Sequence, residues 1–271
     1  MQTHYWADLT TEALSLLDRE NIIAVLPIAA IEQHGPHLPL SVDTDIINAV
    51  ISASIKKMPA DLPVLFLPTQ VIGKSNEHTR FPGTLTHSAE TLMQIWKELA
   101  ECVVNSGIKK FMMFNSHGGQ MNLMDVVLRD LRVKHNILVV SSSWYNLGLP
   151  EGMISAHELK HGIHGGEVET SVMLAAQPHK VRMERAQNFR SLTETLERDY
   201  KYLSIAPTGK IGWQTQDLNP QGACGNAAAA TAAKGHQILD YVSDRYLELL
   251  REIQRGDSPA NKPAGPAAKL E

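Results

Sequence analysis

Cysteine, positive charge in excess and long apolar runs are all scarce in this chain of 271 residues. The two cysteines, Cys102 and Cys224, are too few for a disulfide framework and too far apart for a Cys-x-x-Cys metal or redox motif. No uninterrupted run of about 18 apolar residues could cross a membrane. A formal net charge of -4 provides no cationic field for nucleic acid. These absences exclude disulfide-stapled, membrane-spanning and nucleic-acid-binding classes.

The remaining composition is that of an ordinary soluble globular protein. Hydrophobic residues make up 43% and charged residues 20%, which excludes disordered and fibrous classes. Residues 1–8 lack a basic segment followed by an apolar stretch, so we expect no export and a cytoplasmic location. The length predicts one domain over residues 1–255. Residues 256–271, rich in Pro, Ala and Lys, predict a disordered tail that is partly vector-derived.

Apolar runs alternate with amphipathic stretches along the first half of the chain. The runs predict buried strands over residues 22–28, 63–68, 110–114 and 137–140. Apolar spacing predicts helices over residues 45–57, 88–105, 121–135, 167–176 and 227–254, with Ser88 as an N-cap. This alternation predicts an α/β fold with a largely parallel sheet covered on both faces. Ligands of such folds bind at the carboxyl ends of the strands.

The segment after the first predicted strand is rich in potential metal ligands. Glu32 and His34 are two residues apart, so both side chains project to one side if the strand continues, and they can share a divalent cation. A carboxylate with two oxygens can bridge two cations, and Asp43 and Asp45 are the candidates. One of them can instead cap the following helix. We assign Asp43 to the metal and Asp45 to the cap.

Histidines also occur in two later segments that contain glycines. His117, beside Gly118 and Gly119, follows the third predicted strand and is either a structural histidine or a metal ligand. His164 lies in a glycine-rich turn, where we interpret it as an acid or base. The helix that follows starts near Glu167, which the helix dipole alone would favour at that position.

Residues 157–161 spell H-E-x-x-H, the zinc motif of zincin peptidases. The motif would use His157, Glu158 and His161, and it works only on a continuous helix. Gly162 favours an early helix end, and the metzincin extension requires glycine at the position of His164. A zincin-type endopeptidase therefore stays an alternative to the loop interpretation.

Together these segments resemble the creatininase (creatinine amidohydrolase) family. The chain reads E-Q-H-G-P-H-L-P-L at residues 32–40, S-N-E-H-T-R-F-P-G-T at 75–84, S-H-G-G-Q at 116–120 and H-G-G-E-V-E-T-S at 164–171. These stretches are similar to four motifs that occur in the same order in the family. The resemblance implies a three-layer α/β/α fold, a divalent metal site at the strand ends and hydrolysis of a non-peptide C–N bond. It also implies a homo-oligomer, commonly a hexamer.

The resemblance implies which residues hold the metal. Carried over residue by residue, the ligands are Glu32, His34, Asp43, which bridges, and His117. Creatininase has a further carboxylate ligand two residues after the second-motif histidine, where this chain has Gly119. We expect Glu167 to replace that carboxylate in the catalytic centre, with Glu169 as the less favoured substitute.

The resemblance also implies which residues contact the substrate. His164 matches the histidine that serves creatininase as catalytic acid and base, while Trp144 and Ser75 match positions that contact its substrate. Gly118 stands where creatininase has a tyrosine, and Lys160 stands where it has a second substrate tryptophan. Creatinine itself is therefore not the expected substrate.

The expected reaction is hydrolysis of a small cyclic amide or a related amide. One or two Zn, Mn or Fe ions would lower the pKa of a bound water to near neutrality, and hydroxide would attack the carbonyl carbon. His164 would donate a proton to the departing nitrogen, a task that its unperturbed pKa suits. Alternatives of the same fold are a formamide deformylase and a peptidase for a modified peptide. An alternative of another class is a catalytically silent metal-binding scaffold.

Overall fold

A computed structural model describes residues 3–205 and 207–256 of the chain. At its centre lies a parallel sheet with the strand order β2-β1-β3-β4. The strands are β1 (Ile23–Ile28), β2 (Val64–Phe66), β3 (Lys110–Asn115) and β4 (Leu138–Ser143). All four strands predicted from the sequence are confirmed, and β4 extends beyond its predicted end.

Helices cover both faces of this sheet. They are α1 (Thr11–Ser15), α2 (Val42–Lys57), α3 (Ala89–Asn105), α4 (Met121–His135), α5 (Ala156–His161), α6 (Glu167–Ala176), α7 (Leu192–Asp199), α8 (Thr215–Leu218) and α9 (Ala232–Arg255). The core on one face is formed with α3 and α4, and the core on the other face with α2, α6 and α9. The expected three-layer α/β/α architecture is confirmed.

The central strand β1 shows why the sequence folds this way. All of its residues are buried. Ile23 and Val25 pack in the core beneath α2, α6 and α9, whereas Ala24 and Leu26 pack in the core beneath α3 and α4. Successive side chains of a strand point to opposite faces, so a strand covered on both faces must be apolar at every position.

Two helix starts differ from the sequence predictions. Helix α2 begins at Val42, earlier than predicted, and Ser41 occupies its N-cap position. Asp45 was the wrong choice for the cap. Its carboxylate lies in the first turn, where it accepts a hydrogen bond from the Ser41 hydroxyl at 2.7 Å and pairs with Lys180 at 2.8 Å. Helix α9 starts later than predicted, at Ala232, because residues 227–229 form a separate 3-10 turn.

The other helix boundaries agree with the sequence. The Ser88 hydroxyl accepts a hydrogen bond from the backbone N–H of Thr91 at 3.1 Å and caps α3, as predicted. Helix α6 has its predicted bounds. No helix in residues 3–205 and 207–256 is long and apolar enough to span a membrane. The tail predicted for residues 256–271 lies, apart from Gly256, outside the described residues.

The carboxyl ends of three strands are aligned. Ile28 of β1 lies opposite Asn115 of β3, which lies opposite Ser143 of β4. The chain therefore enters three loops at the same edge of the sheet. A small antiparallel sheet of β5 (Asn188–Phe189) and β6 (Gly225–Asn226) follows later, and Cys224, just before β6, pairs with His164. The later part of the chain thereby returns to the loop that carries His164.

Candidate metal centre

Buried histidines and carboxylates converge at this edge of the sheet. They come from the loop after β1, the first turn of α2, the loop after β3, and the turn that leads into α6. The residues are Glu32, His34, Asp43, His117, His164 and Glu169. Glu32, His34, Asp43 and His117 are those that the sequence analysis assigned to metal, and the structure brings all of them together.

Three sets of potential ligand atoms lie within 4.8 Å of one another. The sets are Glu32–Asp43–His117, His34–Asp43–Glu169 and Glu32–His34–His164. Asp43 belongs to two sets and turns a different oxygen to each. Its Oδ1 is 3.9 Å from His34 Nε2, and its Oδ2 is 3.8 Å from His117 Nδ1. This arrangement suits a carboxylate that bridges two cations.

Backbone carbonyls fix the orientation of the three imidazoles. A carbonyl oxygen can only accept, so the ring nitrogen that faces it must carry the hydrogen. The hydrogen bonds run from His34 Nδ1 to the Glu32 carbonyl (3.1 Å), from His117 Nε2 to the Lys74 carbonyl (2.8 Å) and from His164 Nε2 to the Gln33 carbonyl (2.7 Å). In His34 and His164 the other nitrogen faces the cluster with a free lone pair, whereas His117 Nδ1 lies 3.2 Å from Glu32 Oε2. Metal-ligating histidines are typically held in this way.

Several buried atoms of the cluster have no hydrogen-bond partner in the described part of the chain. They are Glu32 Oε2, His34 Nε2 and Asp43 Oδ2. Buried polar atoms are normally paired, and an unpaired acceptor costs free energy. A divalent cation would satisfy these acceptors together, since carboxylate oxygen and imidazole nitrogen are ligands of Zn²⁺ and Mn²⁺. The donor set therefore fits the metal site that the sequence predicts.

The carboxylates and His117 strongly influence one another. Burial, together with the charge of Glu32, raises the pKa of Asp43 well above its usual range. Burial also acts to raise the pKa of Glu32, but the charges of His117 and His78 outweigh it and hold that pKa well below its usual range. Burial would lower the pKa of His117, yet Glu32 and Asp43 raise it to about 10. The cluster thus attracts positive charge.

Two other imidazoles are neutral at physiological pH. Burial lowers the pKa of His34 to about 4 although Glu32 is near. Burial and then the neighbouring His34 lower the pKa of His164 to about 4. The expectation that His164 keeps an unperturbed pKa is therefore wrong. A neutral His164 presents an acceptor, Nδ1, 3.8 Å from Glu32 Oε1.

Of the two glutamates at the start of α6, the one that the sequence analysis favoured less, Glu169, faces the cluster. Glu169 Oε2 is 3.9 Å from His34 Nε2 and accepts the backbone N–H of Gly165 at 2.5 Å. Glu167 instead forms an ion pair with Lys234 of α9. Residues two apart on a helix point in nearly opposite directions, so only one of them can face the cluster. The structure therefore corrects the expectation that Glu167 replaces the carboxylate missing at Gly119.

A cavity of about 410 Å³ opens above the cluster. Trp144 and Gly118, two of the residues predicted to contact the substrate, line it, and the Trp144 Nε1 has no hydrogen-bond partner among the described residues. Ser75, the other predicted substrate contact, is not among the residues that line this cavity. Its hydroxyl is buried 3.4 Å from Nε2 of His117, one of the candidate metal ligands.

Sequence reasoning assigned no role to Glu77, His78 or Tyr145. The Gln33 amide donates to His78 Nδ1 at 2.9 Å, so His78 Nε2–H faces Glu32 Oε1 at 3.5 Å. Glu77 Oε1 is 3.7 Å from His117 Nε2, and Tyr145 lines the cavity. The S-N-E-H stretch was the available signal for the first two, but it gave no indication of which atoms they face.

The H-E-x-x-H residues lie on the short helix α5 and not in the cluster. His161 Nδ1 is hydrogen-bonded to the Thr193 hydroxyl at 2.8 Å, and His157 is largely exposed. Glu158 accepts two backbone N–H groups. None of the potential metal sites found among residues 3–205 and 207–256 includes these three residues. The zincin alternative has no support from this geometry.

The family model described as creatininase, creatinine amidohydrolase, matches residues 7–250. The chain belongs to the creatininase family. It is 30% identical over 85% of its length to the mycofactocin precursor peptide peptidase of Mycobacterium tuberculosis, covering 84% of that protein. It is 25% identical to the creatinine amidohydrolase of Pseudomonas putida, over 85% of this chain and 89% of that one.

Solved structures share the fold. A putative creatinine amidohydrolase from Bacteroides fragilis superposes with a TM-score of 0.76 at 20% identity, covering 93% of this chain and 97% of its own. A structure described as "Creatininase Mn" superposes with a TM-score of 0.72 at 22% identity, covering 92% of this chain and 98% of that one. The creatininase-like α/β fold expected from the sequence is confirmed.

Proposed function

We propose that this creatininase-family hydrolase holds two divalent cations, Zn or Mn, and cleaves an amide C–N bond. One ion would be held by Glu32, Asp43 and His117, and the other by His34, Asp43 and Glu169. The observation that carries the proposal is the convergence of buried, unpaired ligand atoms on the floor of one cavity. When bound, the cations would supply a water of lowered pKa and polarise the substrate carbonyl.

Residues of the chain supply the proton transfer. His164 donates its Nε2–H to the Gln33 carbonyl at 2.7 Å, so Nδ1 is the nitrogen that faces the cluster. A pKa of about 4 leaves Nδ1 unprotonated before reaction. His164 therefore accepts a proton from the attacking water first and then passes it to the departing nitrogen. This order assigns to His164 both the base and the acid role that the resemblance implies, with the base role first.

The walls of the cavity favour a particular substrate class. Leu149, Leu159, Ile163 and Val168 line it together with the aromatic Trp144. Leu159 and Ile163 are exposed large apolar side chains, so they are available to a substrate that carries an apolar group. We therefore propose a peptide-derived amide with an apolar side chain beside the scissile bond. The 30% identity to a peptide peptidase supports this choice.

A small cyclic amide is the second candidate. The family match and the similarity to a creatinine amidohydrolase support it. Gly118 offers less contact to a small flat ring than a larger side chain would, and its nearest neighbour on that side is the hydroxyl of Tyr145. A panel of apolar dipeptide amides and of unsubstituted lactams separates the two candidates. Turnover of the lactams alone would reject the peptide-derived substrate.

The experiment that tests the function measures metal content and activity together. Elemental analysis of protein purified without chelator should find about two ions per chain, and Asp43→Ala should reduce this to near zero because both sites use Asp43. His164→Asn should retain the metal and lose about 10²- to 10⁴-fold in turnover. Metal that does not depend on Asp43, or full activity of His164→Asn, would overturn the corresponding part of the proposal.

A further inference from the structure

Glu158 is a buried carboxylate that the proposed reaction does not use. It lies on α5 and is 4% exposed. Its Oε1 accepts the backbone N–H of Glu167 at 2.7 Å, and its Oε2 accepts the backbone N–H of Asn226 at 2.8 Å. Both oxygens are thus engaged by backbone donors, and Glu158 lines the cavity without belonging to any of the candidate metal sets of the described residues.

Three glycines surround this carboxylate. A Cβ atom at any of these positions would overlap Glu158 Oε1, and the positions are Gly162, Gly166 and Gly225. Gly162 and Gly166 have φ angles of -84° and -82°, which any residue can adopt. Their φ angles therefore do not demand glycine, whereas the close approach of Glu158 does, through its carboxylate at both positions and also through its backbone carbonyl at Gly162.

The backbone groups that Glu158 binds belong to the segments that carry site residues. Gly166, the N-cap of α6, has no side chain that could accept a hydrogen bond from the backbone N–H groups of the first turn. The Glu158 carboxylate accepts one of these hydrogen bonds instead, from Glu167. The same first turn presents Glu169 to the cluster. Asn226 follows Cys224, whose backbone N–H donates to the His164 carbonyl at 2.7 Å. Glu158 thus connects the start of α6, which follows His164 in the chain, to the segment around Cys224 and Asn226, which pairs with His164.

We infer that Glu158 is a positioning residue that fixes His164 and Glu169 relative to the rest of the centre. The glutamate of the H-E-x-x-H sequence then acts through backbone hydrogen bonds and not as a zincin base. The effect on metal affinity rests on the proposed function, whereas the effect on the loop backbone does not.

The test substitutes Glu158 by glutamine, which keeps the shape but turns an NH₂ group toward one of the two backbone N–H donors. Hydrogen exchange of the metal-free protein should show faster exchange at the amides of Glu167 or Asn226. Titration with Zn²⁺ should show that the site of His34, Asp43 and Glu169 binds Zn²⁺ about 10- to 100-fold more weakly. Losses of this size are typical when residues that orient metal ligands are changed. Both changes should appear while the circular dichroism of the folded chain is retained.

The matched control is Ser155→Ala. The Ser155 hydroxyl caps α5 by accepting the N–H of Glu158 at 3.1 Å, whereas the Glu158 carboxylate bonds the backbone of Glu167 and Asn226. This variant should lower Tm without changing Zn²⁺ affinity. Should Glu158→Gln fail to fold, Gly166→Ala adds a methyl group that overlaps the same carboxylate and lies 3.0 Å from the Cys224 carbonyl, and it should weaken Zn²⁺ binding likewise.

Each outcome decides the inference. Unchanged exchange at Glu167 and Asn226 in Glu158→Gln overturns it, and so does Zn²⁺ affinity that falls equally in Ser155→Ala. Loss of Zn²⁺ in His157→Ala with normal binding in Glu158→Gln would restore the zincin alternative. If the wild-type chain binds no Zn²⁺, the proposed function fails, while the exchange data still decide the role of Glu158.

Discussion

Residues 157–161 and 164–169 are neighbouring segments with a similar supply of histidine and glutamate, yet they differ in what their side chains contact. In the first, the Glu158 oxygens accept backbone N–H groups and His161 is paired with Thr193 and with Glu197 at 2.9 Å. In the second, His164 and Glu169 face a cluster with unpaired buried atoms. A candidate ligand is thus recognised by unsatisfied acceptors more than by residue spacing.

The comparison also separates two uses of a buried carboxylate. Glu158 is stabilised by the chain itself, so nothing further is required to compensate its burial. Asp43 and Glu32 lie close together, and each has an oxygen without a hydrogen-bond partner among the described residues. Both carboxylates can be ionised together only if a neighbouring positive charge compensates their repulsion and burial. The hydrogen bonds of Glu158 stabilise the loop, whereas the unpaired oxygens of Asp43 and Glu32 are available to a cation.

The largest effect that would sharpen this comparison is expected at Glu169. Glu169→Gln should remove one of two ions, because the His34–Asp43–Glu169 set then loses a charged ligand. Glu167→Gln is the matched control, since that carboxylate is paired with Lys234 away from the cluster. Metal content per chain measures both variants. Loss of metal in Glu167→Gln but not in Glu169→Gln would return the ligand role to Glu167.

An intermediate effect is expected at Gly119. A Cβ atom there would overlap the Glu77 carboxylate and lie 2.6 Å from His117 Nε2, so Gly119→Ala should displace the imidazole. We expect the affinity of the Glu32–Asp43–His117 site to fall by about tenfold, at the lower end of what a misoriented ligand costs. Gly212→Ala, with open space around its Cβ and no positive φ, serves as a control of a glycine substitution elsewhere. Equal Zn²⁺ titrations for Gly119→Ala and the wild type would contradict the expectation.

The smallest effect is expected in the H-E-x-x-H segment. His157→Ala changes a side chain that is 61% exposed, and its contact with Glu194 at 3.7 Å is a surface ion pair. Metal content and turnover should stay within about twofold of the wild type, since surface substitutions outside special features have small effects. Metal loss in this variant would erase the distinction between the two segments.

The residues of the candidate metal centre that follow strands could be predicted from the sequence. Glu32, His34 and His117 come after buried apolar runs, and the carboxyl ends of parallel strands meet at one edge. Family motifs then supported Asp43. The choice between Glu167 and Glu169 could not be made, because it depends on how α6 packs against Lys234 of α9, far away along the chain.

Other differences also arise from distant contacts. Asp45 pairs with Lys180, and this partner could not be known from the local sequence that suggested a cap. His78 lies on a 3-10 turn in a long loop, where its ring is set by Gln33 and Thr215. The single domain over residues 1–255, the hexamer, the cytoplasmic location and the nature of the tail stay predictions.

The sharing of Asp43 between two sets of candidate ligands would link folding to the supply of metal in the proposed centre. A cation that binds the folded chain and not the unfolded chain adds RT ln(1 + [M]/Kd) to the free energy of unfolding. At a free cation concentration of 100 times Kd this is about 2.7 kcal/mol for a single site. Because α2 and α6 both contribute to the centre, the free cation concentration would thereby help determine how firmly two helices of one layer are held against the loops of the sheet.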